Sequence, residues 1–110
     1  MLARPLAPGS GLDPVMRELR RGLDEVERGF VPDIILLSLG CDALQGDPLG
    51  VLGLVPRDYH DLTVEVRDRA ELLCGGRLVS VLEEGYQAES MARAVVQHLR
   101  ALAALPPYEP

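Results

Sequence analysis

The sequence predicts an α/β fold, with parallel strands and flanking helices forming a partial three-layer αβα sandwich, and three observations carry that prediction. An unbroken apolar run, "IILLSL" at 34–39, has the character of a strand covered on both faces and therefore central in a parallel sheet. A second apolar segment, "RLVSVLE", supplies another strand at 77–83. Between them lies a stretch with helical periodicity, opened by Pro56 and closed by Gly75 and Gly76. Strands joined by a crossover helix run parallel, and that crossover is right-handed in nearly all cases. Their carboxyl ends then share one edge, which is where open α/β sheets keep their chemistry.

Each element has its own local justification. Asp13 followed by Pro14 is a helix-start signal, because the carboxylate accepts from free amides and proline loses nothing at the first helical position. Val15, Met16, Leu19, Leu23, Val26 and Phe30 then recur at helical spacing, so a first helix is predicted over about 14–29, closed by Gly29 and Pro32. In the crossover helix, about 57–74, Tyr59, Leu62, Val66, Ala70 and Leu73 make the apolar face. A last helix, about 88–105, turns Met91, Val95, Leu99 and Leu102 inward. Two strands alone make a poor sheet, and "MLARPL" offers residues 2–6 as a candidate third strand, shortened by its proline.

The 110 residues make one domain, 1–110, long enough for a core but short for a complete three-layer enzyme. A net charge of -6 with dispersed acidic residues opposes binding to a phosphate backbone, so no nucleic acid partner is expected. The apolar runs fall far below the ~20 residues of a membrane span, so no membrane partner is expected either. Cys41 and Cys74 form no CxxC, and no basic start precedes an apolar stretch, which together point to a reducing cytoplasm. Neither strand is followed by GxGxxG or a lysine-bearing phosphate loop, which sets aside a nucleotide-binding βαβ unit.

At the predicted rim, "GCDALQGDPLG" follows the first strand and "EEGY" the second. An aspartate at a strand tip can ligate a metal, act as a base or hold the next turn, and holding the turn is the ordinary role. A tyrosine there either packs with its hydroxyl in water or donates a hydrogen bond to a reacting group. The residues taken singly leave these alternatives open.

Read together, "PDIILLSLGCDALQGDPLG", "DYHDLT" and "GGRLVSVLEEGY" resemble the closing part of the zinc-dependent histone deacetylase and acetylpolyamine amidohydrolase family, in the family's order and spacing. The likeness extends from about Pro5 to Leu102. It implies that Asp42 is one of three protein ligands to a zinc ion, which polarises an amide carbonyl and activates water. It implies that Tyr86 donates a hydrogen bond to the oxyanion of the tetrahedral intermediate. Leu49 is similar to a leucine lining the family's acyl-lysine tunnel, and Gly85 is the glycine that lets the backbone approach that tunnel closely. Asp47 is assigned only to holding its own turn.

The chain departs from the family pattern at Cys41, Leu44 and Glu84, the last standing where a glycine is usual. Glu84 is expected either to point to water or to bring negative charge near the oxyanion. The resemblance places an Asp-x-His ligand pair and a catalytic His pair upstream of everything in this sequence, while His60 and His98 read as surface or core residues. The expectation is a C-terminal fragment of a deacylase acting on N-acyl-lysine or related acylated amines. Alone it is inactive, and an N-terminal segment completes it. The alternative is a non-catalytic interaction module or truncated remnant that self-associates through its uncovered sheet.

Overall fold

The computed structural model describes residues 2–48 and 50–109. Three helices and two strands follow in the order α1 (Leu12–Gly29), β1 (Ile35–Gly40), α2 (Asp58–Cys74), β2 (Leu78–Glu84) and α3 (Ala88–Leu102). The α/β class and the parallel pairing hold: β1 and β2 run parallel from Ile35↔Leu78 to Leu39↔Leu82. A bulge then moves Gly40 opposite Glu84 and leaves Glu83 as the extra residue. Bulges re-aim side chains where a strand meets a site, and this one lies at the carboxyl edge of the sheet.

Helix ends follow from local chemistry, with three differences from expectation: α1 starts at Leu12, α2 at Asp58, and α3 stops at Leu102, short of 105. α1 begins at Leu12 with Gly11 as its N-cap and no side-chain cap; Asp13 sits in the first turn, where its charge complements the helix dipole. α2 begins at Asp58, whose Oδ2 accepts from the Val55 amide at 2.9 Å. It ends where Gly75 takes the left-handed conformation, φ 64°, which a residue with a Cβ adopts only at a cost.

The candidate strand at 2–6 does not form; among the described residues the sheet has two strands. Arg4 pairs with Glu25 and approaches Glu18 on α1, while Leu2 and Leu6 line a furrow with Val15, Leu19, Leu23 and Val26. The segment is therefore held along α1 instead of beside a strand, and its proline removes a donor that a ladder would use.

The core sits between the sheet and the helices. Ser80 Oγ on β2 lies 2.8 Å from His98 Nε2 on α3, and His98 Nδ1 lies 2.7 Å from Thr63 Oγ1 on α2, so both helices cover the same face. α1 joins α2 from the side through Arg69–Asp24 and Arg20–Glu65. The other face is open: Leu36 is 74% exposed, Val79 48% and Val81 56%. The reading of β1 as a strand covered on both faces and central is thus corrected for the described residues. They show the sheet and the helical layer on one face, two of the three expected layers.

Two further expectations change. Phe30 lies beyond α1 and is exposed, so it does not extend the apolar stripe. Leu99 is also exposed, and the buried arc of α3 is Ala94, Gln97, His98 and Ala101. Gln97 tolerates burial because its side-chain amide exchanges two hydrogen bonds with the Tyr108 backbone, each 2.9 Å. The segment after α3 folds back along that helix, where its carbonyls also accept from Arg100 Nε at Pro106 and meet His60 Nε2 at Leu105.

Candidate functional site

Because the strands are parallel, the loop after β1 and the loop after β2 leave from one edge, and backbone hydrogen bonds join them. The Cys41 amide donates to the Glu84 carbonyl at 2.6 Å, and the Tyr86 amide donates to Asp47 Oδ2 at 3.0 Å. The structure brings together Asp42, Gly85 and Tyr86 on this shared rim. Leu49 lies outside the described residues.

The Asp42 loop is built tightly. Tyr59, buried on α2, donates its hydroxyl to the Gly40 carbonyl at 2.7 Å and so fixes the last turn of β1. Burial, reinforced by the nearby Cys41, Asp42, Asp47 and Asp58, pushes the Tyr59 phenol well above its usual range, so it acts as a donor and not as a phenolate. A Cβ at Gly50 would run into the Asp42 carbonyl oxygen, so the loop closes back on the aspartate only with glycine there. Leu44 and Leu54 bridge in parallel below it, both buried.

Asp42 is partly buried and its carboxyl faces that of Glu84. A hydrogen bond to the Asp42 side chain, together with the Asp42 charge, holds the Glu84 carboxyl above the ordinary carboxylate range. Glu84 is exposed, but its partner is the candidate metal ligand, not water alone. Tyr86 is 53% exposed, leaving its phenol available at the rim. A Cβ at Gly85 would stand 2.9 Å from Cys41 Cβ and 2.6 Å from Met91 Sδ, so this glycine lets the two loops and α3 close on one another.

Sequence reasoning missed Asp47. It is 6% exposed and reaches across to the Tyr86 amide, where an aspartate before proline was expected only to hold its own turn. Its proximity in sequence to Asp42 is visible; its partner, far along the chain, leaves no local signal.

The residues present do not by themselves fit a zinc ion. Among the described residues no group of three or more His, Cys, Asp and Glu side chains is placed to share a metal. Cys41 is fully buried, and burial together with Asp42 and Asp47 pushes its thiol up, away from the thiolate a metal needs. Both histidines are buried and engaged elsewhere, His60 with Leu105 and His98 with Thr63 and Ser80. A cavity of about 750 Å³ lies between the start of α2, α3 and the returning tail; none of the rim residues lines it.

Known proteins agree with this geometry. The histone deacetylase domain family matches residues 1–102. Histone deacetylase 14, chloroplastic, of Arabidopsis thaliana is 40% identical over 102 residues, covering 89% of this chain and 23% of that protein. The histone deacetylase-like amidohydrolase of Pseudomonas aeruginosa is 40% identical over 82 residues, covering 74% of this chain and 22% of that protein. The structure of the histone deacetylase Clr3 superposes with a TM-score of 0.78 at 27% identity, covering 94% of this chain and 17% of that one. The chain thus spans less than a quarter of the length of these relatives. A family match along almost the whole chain, on a parallel α/β unit with its two motif loops joined at one rim, means that this chain belongs to the histone deacetylase family.

Proposed function

We propose that this chain is the C-terminal portion of a zinc-dependent amidohydrolase that removes acyl groups from N-acyl-lysine or related acylated amines, active only when an N-terminal segment completes the site. The observation that supports it most is the junction of the two loops, Cys41 to Glu84 and Asp47 to Tyr86, which puts a strand-tip carboxylate and an accessible phenol at one edge. In the completed domain Asp42 would be one of the residues holding the metal, and a bound metal would supply Lewis-acid chemistry. Tyr86 donates its hydroxyl to the oxyanion that develops there, a role for which loss of one donor costs about 2.7–4 kcal/mol of barrier. Leu49 lines the acyl channel, and Gly85 admits the close backbone approach that the channel wall needs. Glu84 adjusts the charge beside Asp42. Reduced, unpaired Cys41 and Cys74 suit the cytoplasm.

The experiment is complementation. The upstream portion of a relative, carrying its Asp-x-His segment, is co-expressed with this chain, and zinc content and acetyl-lysine amide hydrolysis are measured. One zinc per complex and hydrolysis abolished by Asp42→Ala support the reading; a stable, metal-supplemented complex without hydrolysis overturns it.

The open sheet face favours a second reading, a non-catalytic module or remnant that associates through Leu36, Val79 and Val81. Sedimentation of the isolated chain separates the two: concentration-dependent self-association supports the module, and a compact monomer counts against it.

A further inference from the structure

We infer that Asp47 is a positioning residue for Tyr86: its buried carboxylate captures the tyrosine's backbone amide and fixes the phenol's origin relative to the Asp42 loop. This rests on the proposed deacylase reading for its catalytic consequence, but not for its structural content. The loop after β1 turns at Gly46, φ 86°, and delivers Asp47 inward, where the side chain is nearly sealed from solvent. A carboxylate in such surroundings is costly unless its oxygens are hydrogen-bonded, and bonds to an ionised acceptor are about twice as strong as neutral ones. One of those bonds is donated by Tyr86 N, 3.0 Å from Oδ2.

The capture is selective in place. Immediately before Tyr86, Gly85 is wedged against Cys41 and Met91, and the Glu84 carbonyl already accepts from the Cys41 amide. The Tyr86 amide is the next backbone group, and Asp47 holds it from the same loop that carries Asp42. The backbone from Glu84 to Tyr86 is therefore pinned to the aspartate loop at two points, while Tyr86 as a whole remains 53% exposed. Mispositioning a reacting group by about 1 Å can cost on the order of 100-fold in rate, so an anchor at the Cα of the donor has a direct consequence for catalysis.

Amide hydrogen exchange on the full chain, read residue by residue by NMR, tests the anchor without any activity. Asp47→Ala is expected to speed exchange at the Tyr86 amide by about tenfold or more while the Val66 amide in α2 is unchanged. Asp47→Asn, which keeps a neutral acceptor, is expected to fall between and serves as the comparison if the alanine variant does not fold. Unchanged exchange at Tyr86, or equal loosening at Tyr86 and Val66, overturns the proposal. In the complemented domain, Asp47→Ala is expected to lower kcat by roughly 10- to 100-fold with KM nearly unchanged, and Asp47→Asn to recover part of it. A KM effect alone overturns the positioning role. Should the wild-type complex not hydrolyse its substrate, the deacylase reading falls while the exchange result still decides the anchor.

Discussion

The two faces of the β1–β2 sheet are built from similar residues and meet opposite surroundings. On one, Ile35, Leu37 and Leu78 lie partly buried beneath α2 and α3; on the other, Leu36, Val79 and Val81 face solvent. Alternate residues of a strand point to opposite faces, so the continuous hydrocarbon of β1 equips both for burial. Among the described residues, only one face is covered. The difference teaches that burial potential and burial are separate properties of a strand, and it is what the proposed fragment reading expects of a chain that spans less than a quarter of its relatives.

The largest test breaks the covered side. Leu44, 2% exposed in the cluster with Cys41, Leu54, Tyr59 and Ala94, is expected to cost about 2–5 kcal/mol on replacement by alanine, read as a lower urea midpoint. A pH series sharpens the same side. Thr63 donates its hydroxyl to the Tyr59 carbonyl, so it accepts from His98 Nδ1–H, which leaves Nε2 to accept from Ser80. That arrangement requires a neutral imidazole, and burial pushes the His98 pKa below its ordinary 6.5. The unfolded chain then binds the proton more readily. The contribution is complete above the ordinary value and is lost as pH falls through it toward the depressed folded value. The urea midpoint is expected to drop on acidification, and His98→Gln to flatten that slope.

The smallest effect on the isolated chain comes from the open side. Leu36→Lys is expected to change its stability by no more than about 0.5 kcal/mol, because the side chain already stands in water. The same variant is expected to abolish assembly with a complementing segment, since the charge would be buried beneath it. Equal losses at Leu44 and Leu36 in the isolated chain would erase the distinction between the faces.

How much of this could be read without coordinates depends on whether the cause was local. The strand–helix–strand order and the common rim follow from periodicity and crossover geometry, and both were legible. The buried arc of α3 was not, because Gln97 is buried by the returning Tyr108 backbone, not by its place in an apolar stripe. The segment at 2–6 lies along α1 through contacts distant in sequence, Leu2 and Leu6 at its apolar stripe and Arg4 at Glu25, which strand propensity does not register. Asp42 and Tyr86 stood out through resemblance. The reach of Asp47 to Tyr86 depended on the fold bringing two loops together. The bareness of one sheet face could not be read from β1, since a run of hydrocarbon looks the same before and after its partner arrives.

The bond from Tyr59 to the Gly40 carbonyl gives the chain a built-in optical gauge. There is no tryptophan, and Tyr86 and Tyr108 are surface phenols, so Tyr59 is the chromophore enclosed in the interior. Alkali that ionises it must first prise the strand tip loose, and the late rise in tyrosinate absorbance then times the release of the segment carrying Asp42.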